Sequence, residues 1–110
     1  NAIISMPAEV NNVFVHEKVA DYIVELMNKT REHKDLARGG SPRATLALTQ
    51  MAKSCAFLNG RNYVVPSDVA KVFVPVIAHR LMLTPEAEVN NRHAAQIAQE
   101  ILKDTVAPKI

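Results

Sequence analysis

The stretch ARGGSPRATLALTQMAK, residues 37–53, contains the start of the longest predicted helix. Ser41 is a preferred N-cap residue, and Pro42 suits the first helical position because its missing N–H would have no intrahelical partner there. Arg43 follows in the first turn, where the helix dipole disfavours an exposed cation by roughly 0.3–1 kcal/mol. A bound anion would reverse that cost. The alternative is that Arg43 points into solvent, which screens the cost away.

The helix that begins here is predicted to run from Pro42 to Asn59 and to end at the Asn59-Gly60 exit. Two further apolar residues, Leu46 and Phe57, fall off its main stripe, which indicates a central helix contacted on more than one side. The predicted buried stripe follows helical spacing and consists of Ala44, Ala47, Leu48, Met51, Cys55 and Leu58.

The composition is typical of one helical domain. The chain has 110 residues, of which 48% are apolar, 22% charged and only 5% aromatic. Small aliphatic residues supply the apolar content and suit closely packed helices. The net charge of +2 is too small to demand a polyanionic partner. The single cysteine cannot form an internal disulfide, and the sequence has no leader or membrane-spanning run, so we expect a cytoplasmic protein.

Upstream of the central helix, residues 1–12 lack a period and are predicted to be a lead-in or linker. The chain opens on Asn1 without an initiator Met, and we expect it to be part of a longer protein. A first amphipathic helix is predicted from Glu17 to about Arg31, with His16 as a weak N-cap. Residues 28–40 are rich in Lys and Arg and are predicted to form a basic loop.

Downstream, Tyr63–Val65 and Arg80–Leu83 are predicted to be short extended pieces that could pair with each other. Between them a helix opens at Pro66, and Pro75 is expected to break it because an interior proline costs roughly 3 kcal/mol. A last helix is predicted from about Asn91 and stops before Pro108. The fold class is therefore all-α, a small bundle of four to five helices with a minimal two-stranded pairing.

No catalytic or metal-binding constellation is recognisable in the sequence. The histidines, His16, His33, His79 and His93, lie far apart without an i,i+4 pair. Cys55 falls on the apolar stripe and is predicted to be a core residue. The Gly39-Gly40-Ser41 turn lacks the GxxxxGK spacing and the lysine of a phosphate-binding Walker A loop.

The basic segment and Arg43 leave two other kinds of function open. One is a small helical nucleic-acid-binding module, although aromatics and a glycine-rich RNA motif do not accompany the charges. The other is a plain protein-interaction domain in which Arg43 has no ligand.

Residues 30–83, TREHKDLARGGSPRATLALTQMAKSCAFLNGRNYVVPSDVAKVFVPVIAHRLML, resemble the C-terminal lid domain of MoxR-type AAA+ ATPases. The likeness is carried by a T-R-x-H loop, then G-x-S-P-R-A, a long helix ending in x-G-R-x-Y-V, P-x-D-V, and H-R-L. It extends more loosely through VFVHEKVADYIVELM upstream and LTPEAEVNNRHAAQIAQEIL downstream, so it covers essentially the whole chain.

The resemblance implies that residues 13–110 form a helical lid and that the lead-in joins them to an AAA+ core. Arg43 would be the sensor-2 arginine that contacts ATP phosphates, and Gly40, Ser41 and Pro42 would form its supporting turn. ATP and Mg²⁺ would be held mainly by the core, which carries the Walker motifs, so this chain alone should not hydrolyse ATP.

The implied partners are the protein's own core domain and neighbouring subunits of a ring that remodels or matures client proteins, with no membrane or nucleic-acid partner. Three positions depart from the family pattern. Gly40 stands where Ala is usual, Val65 stands where Thr commonly caps the next helix, and His16 replaces an acidic or hydroxyl cap. Arg43 itself matches the pattern.

Overall fold

Five α-helices and four short strands make up residues 12–109, the part of the chain that this computed structural model describes. Residues 1–11 of the predicted lead-in lie outside it. In chain order the elements are β1 (Phe14–Val15), α1 (Glu17–Glu32), β2 (Leu36–Arg38), α2 (Pro42–Leu58), β3 (Tyr63–Val64), α3 (Pro66–Ile77), a 3₁₀ turn (Ala78–Arg80), β4 (Met82–Leu83), α4 (Pro85–Val89) and α5 (Ala94–Asp104). The predicted all-α class and helix number are confirmed.

One apolar core joins the larger helices. The most extensive contact is between α2 and α3, and α5 packs on α3 from another side. The largest side chains fully buried in this core are Phe73, Leu26, Met27, Leu48, Ile77 and Ile97. No helix in the described residues is long and apolar enough to cross a membrane.

Helix α1 confirms its predicted range to within one residue. Its buried face repeats at helical spacing and comprises Val19, Tyr22, Ile23, Leu26, Met27 and Thr30. His16 is the N-cap residue, and its Nδ1 accepts the N–H of Lys18 over 3.0 Å. The imidazole therefore fills the capping role that Ser or Asp usually takes.

The predicted stripe of α2 is confirmed at Ala44 and Leu48 but is wrong in the C-terminal half of the helix. The buried positions are Ala44, Leu48, Ala52 and Ala56, whereas Met51 is 45% exposed and Leu58 83% exposed. Nearly every turn of α2 carries several apolar residues, so more than one stripe has helical spacing. The structure uses the stripe of small residues because three alanines let α3 approach closely.

Pro75 does not break α3, contrary to the prediction. The helix continues to Ile77 and only then tightens into the 3₁₀ turn. Pro75 lies in the last turn, and the next two residues, Val76 and Ile77, are buried. Burying two such side chains contributes about 1.5–3 kcal/mol each, enough to offset the roughly 3 kcal/mol cost of the proline.

The strand partners also differ from the prediction. Tyr63–Val64 does not pair with the 80–83 segment but lies parallel to Phe14–Val15, and Met82–Leu83 lies antiparallel to Leu36–Arg38. Each predicted extended piece contains a strand, although Arg80 lies in the 3₁₀ turn, and each strand pairs with a short segment flanking α1 that the sequence does not mark as extended. Two separate two-stranded ladders result, one at each end of α1.

The predicted basic loop of residues 28–40 is wrong over most of its length. Residues 28–32 complete α1, and Leu36–Arg38 form β2. Two buried side chains hold this segment against the bundle, Thr30 at 0% and Leu36 at 7% exposure. Because charged residues surround both positions in the sequence, the prediction of a basic loop did not include a buried residue.

The C-terminal region contains one short helix, α4, that was not predicted there, while the predicted break of α3 into two helices does not occur. Thr84 caps the short α4 by accepting the N–H of Ala87, and Pro85 occupies the first helical position. This Thr-Pro start repeats the Ser-Pro start of α2 and is a signal that the sequence analysis missed. The last helix begins at Ala94 rather than at Asn91, which adopts a left-handed φ of 58°.

Candidate functional site

The N-terminus of α2 forms as the sequence predicts. Ser41 is the N-cap residue, its Oγ accepts the N–H of Ala44 over 3.1 Å, and Pro42 occupies the first turn. The N–H of Thr45 donates to the Ser41 carbonyl oxygen over 3.0 Å. Pro42 has no N–H, so the cap leaves the backbone N–H of Arg43 as the one donor in this turn without a partner among the described residues.

Arg43 is exposed at this helix end. The first turn of α2 contains no acidic residue, and the ion pairs of residues 12–109 do not include Arg43. A guanidinium and a free backbone N–H on one residue, at the positive end of a helix of 17 residues, form a donor set suited to phosphate oxygens.

The two glycines before Ser41 lie in close contact with the C-terminal turn of α1. A Cβ on Gly39 would collide with the backbone of Thr30 and Arg31, and a Cβ on Gly40 would collide with the Cε of Met27. Both backbone groups of Gly40 are bonded to α1. Its N–H donates to Thr30 Oγ1 over 2.9 Å, and its carbonyl oxygen accepts the Nε–H of Arg31 over 2.8 Å.

A second polar cluster, which was not predicted from the sequence, caps the N-terminus of α3. Val65 is the N-cap residue and has no polar side chain, so its own N–H is capped instead by Asp68 Oδ2 at 2.9 Å. Asp68 Oδ1 accepts from Arg61 at 2.5 Å. The signal was the acid three residues after the cap, the second half of a capping box.

Three of the four histidines lie at helix N-caps or hold a turn of the backbone. His16 and His93 are N-cap residues, and His33 Nδ1 accepts the N–H of Asp35 over 3.0 Å. Burial raises the pKa of the Cys55 thiol, and a hydrogen bond with Asp68 raises it further. The described residues contain no group of three or more His, Cys, Asp or Glu arranged to hold a metal ion.

Cys55 is only half-buried, so its prediction as a core residue is confirmed in part. His79 is exposed in the 3₁₀ turn beside Arg80.

Arg92 connects helix α5 to the turn before β2. Its guanidinium donates to both oxygens of Glu100, at 2.9 and 2.6 Å, and its Nε lies 3.4 Å from Asp35 Oδ2. The hydrogen bonds from Arg92 lower the pKa of the Glu100 carboxyl below its ordinary value. This network joins α5 to the turns before α5 and β2 and contains no residue of the Gly39–Arg43 turn.

The protein-family comparison matches residues 28–101 to the AAA lid domain. The matched range includes the Gly39–Arg43 turn, α2, α3 and most of α5.

Two curated proteins are similar over most of the chain. The uncharacterised protein YeaC of Bacillus subtilis is 37% identical over 105 residues, which are 96% of this chain and 33% of YeaC. The chaperone MoxR1 of Mycobacterium tuberculosis is 34% identical over an alignment of 108 residues that covers 90% of this chain and 29% of MoxR1. The chain therefore spans about a third of the length of these relatives.

The fold is also found in a crystal structure. A protein from Cytophaga hutchinsonii that is assigned as an ATPase superposes with a TM-score of 0.87 at 34% identity. The match covers 93% of this chain and 34% of that one. The similar part is again a minor fraction of a longer polypeptide.

Proposed function

The chain belongs to the AAA lid domain family in its MoxR type, and from this premise we propose that it is the nucleotide-sensing lid of a longer ATP-hydrolysing protein. Arg43 is proposed as the sensor-2 arginine, supported by the turn of Gly40, Ser41 and Pro42. ATP is the proposed ligand, with Mg²⁺ and the hydrolytic groups supplied by the rest of the polypeptide.

One observation carries this proposal: the Arg43 side chain and its own N–H are both unpaired among residues 12–109 and sit at the positive end of α2. An internal carboxylate paired with Arg43 would have neutralised the positive charge that attracts a phosphate ligand. Hydrogen bonds between a guanidinium and phosphate oxygens are charge-assisted and stronger than neutral ones. Their strength increases when a second domain closes over the site and excludes water.

The proposed role of this chain is to convert phosphate contact into movement of a rigid body. α2 is about 25 Å long at 1.5 Å per residue, and α3 packs along it in a common core. When the terminal phosphate is bound, Arg43 holds the N-terminus of α2 beside it. When that phosphate leaves, the contact is lost and the lid reorients relative to the core domain.

The resemblance to MoxR proteins also supports a ring oligomer with a chaperone-like role and cytoplasmic location. The first test is the sequence upstream of Asn1. We expect a GxxxxGK loop followed by Ser or Thr, with an acidic Walker B strand, within the preceding ~200–250 residues. Their absence would contradict the proposal.

The biochemical test uses Arg43→Ala in the full-length protein, with kcat/KM for ATP as the readout. We expect a loss of about 10-fold or more, because hydrogen bonds to charged groups are worth about 1.5–3 kcal/mol. Lys18→Ala is the matched control, since Lys18 is also an exposed cation in the first turn of a helix. Equal kcat/KM for Arg43→Ala and the wild type would contradict the proposal and favour a protein-interaction domain in which Arg43 has no ligand.

A second readout separates sensing from folding. In the chain of 110 residues without nucleotide, Arg43→Ala should leave the free energy of unfolding unchanged or raise it by roughly 0.3–1 kcal/mol, because it removes a cation from a helix N-terminus. Lys18→Ala should behave in the same way. A variant that is at least as stable as the wild type but loses ATPase activity cannot owe its loss to unfolding.

A further inference from the structure

Two adjacent side chains at the end of α1 fix the peptide groups on either side of Gly40. The buried hydroxyl of Thr30 donates to the Met27 carbonyl oxygen over 2.6 Å and accepts the Gly40 N–H over 2.9 Å. Arg31 donates from Nε to the Gly40 carbonyl oxygen over 2.8 Å. Both backbone groups of Gly40 are therefore satisfied by α1, directly before the Ser41 cap.

The remaining donors of Arg31 widen this attachment. Nη1 donates to Asn28 Oδ1 over 3.1 Å within α1, and Nη2 lies 3.5 Å from Thr45 Oγ1 in the first turns of α2. The guanidinium thus connects the last turn of α1 to the first turns of α2. The Arg31 guanidinium therefore has three hydrogen-bond partners, whereas the Arg43 side chain has none among residues 12–109.

The rest of the interface between these two helices is small. α2 packs much more extensively on α3 than on α1. Gly39 has no room for a side chain because the backbone of Thr30 and Arg31 lies against it. The position of the α2 N-terminus relative to α1 therefore depends on this short turn and on the bonds from Thr30 and Arg31.

We propose that Thr30 and Arg31 are positioning residues that hold the Gly40–Ser41 turn, and through it Arg43, in the geometry required for phosphate contact. This inference rests on the proposed function. Thr30 and Arg31 touch no nucleotide in this scheme and act only through the backbone between Gly40 and Arg43. They also link α1 to the sensor, so a displacement of α2 is transmitted to α1.

The test compares conservative variants in the full-length protein, with kcat/KM for ATP in the presence of Mg²⁺ as the readout. Arg31→Lys keeps the charge and most of the stem but cannot form the fork to Gly40, Asn28 and Thr45. Thr30→Val keeps the volume and removes the hydroxyl. Each should lower kcat/KM by about 5-fold or more, since misplacement by 1 Å is costly. Thr30→Ser, which retains the hydroxyl, should restore most of the activity lost in Thr30→Val.

Arg80→Lys is the matched control, because Arg80 Nη1 donates over 2.7 Å to the carbonyl oxygen of Val76, four residues earlier in the chain, and not to the Gly40–Ser41 turn. It removes a similar guanidinium-to-carbonyl bond and should leave kcat/KM within about 2-fold of the wild type. If Arg80→Lys lowers activity as much as Arg31→Lys, the positioning role is overturned.

A double-mutant cycle separates positioning from general stability. Adding Arg31→Lys to Arg43→Ala should cause no further loss of kcat/KM, because the positioned side chain is already absent. Equal losses in both backgrounds, or no loss from Arg31→Lys alone, would overturn this inference while Arg43→Ala retained its effect. No loss from Arg43→Ala itself would instead overturn the proposed function.

Discussion

Asp68 is fully buried, and its Oδ1 lies 2.5 Å from Nη2 of Arg61, whose side chain is 24% exposed. The other carboxylate oxygen accepts the N–H of Val65. One buried acid therefore joins the turn after α2 to the start of α3. These two helices make the most extensive contact in the fold. Removing this acid leaves the guanidinium of Arg61 and the backbone N–H of Val65 without their acceptor.

Asp68→Ala should lower the free energy of unfolding by about 1.5–3 kcal/mol, because it removes the charged acceptor of both Arg61 and the Val65 N–H. Asp68→Asn should cost less, since its amide oxygen can still accept the Val65 N–H. Equilibrium denaturation of the chain measures both. Asp21→Ala, an exposed acid on α1, should stay within about 0.5 kcal/mol of the wild type. A similar cost for Asp21→Ala and Asp68→Ala would contradict this role for Asp68.

The bonds between Glu100 and Arg92 predict a stability that depends on pH. The pKa of Glu100 is lowered from 4.5, first by the hydrogen bonds from Arg92. A lowered pKa in the folded state means that the carboxylate contributes its full stability above about pH 4.5 and loses it as pH falls through the lower value. Protonation then breaks the charge-assisted pair.

Glu100→Gln should accordingly be less stable than the wild type at pH 7, and the difference should shrink as the pH falls below 4.5. Denaturation midpoints measured at a series of pH values check the difference. Glu88→Gln is a suitable control because Glu88 is exposed and has no ion pair among the described residues. A wild-type advantage over Glu100→Gln that did not shrink at all as the pH fell below 4.5 would rule out this linkage.

The two glycines before Ser41 should differ in their tolerance of alanine. Gly39→Ala places its Cβ against the backbone of Thr30 and Arg31, which cannot move without distorting α1, and should cost about 3 kcal/mol. Gly40→Ala meets the end of the Met27 side chain, which is flexible, and should cost about 1 kcal/mol. Thermal or chemical denaturation orders the two variants. The reverse order would show that the turn lies differently on α1.

Core truncations test the rotation of α2. Leu48→Ala should cost about 3 kcal/mol because Leu48 is fully buried, whereas Met51→Ala should cost less than about 1 kcal/mol because Met51 is 45% exposed. The predicted stripe placed both residues in the core and would give similar costs. Denaturation midpoints distinguish these outcomes directly.

The sequence alone determined the local boundaries of this protein. The Ser41-Pro42 start, the Asn59-Gly60 exit and the range of α1 depend on backbone hydrogen bonds and φ preferences within a few residues. The position of Arg43 in the first turn follows from the same local rules.

Only the tertiary structure decided which apolar stripe of α2 is buried, which strands pair, and that Thr30 and Arg31 hold Gly40. The physical reason is that each of these depends on contacts between segments far apart in sequence. Several registers of such contacts satisfy the same helical or extended pattern, and close packing against α3, α1 and the flanking strands selects among them.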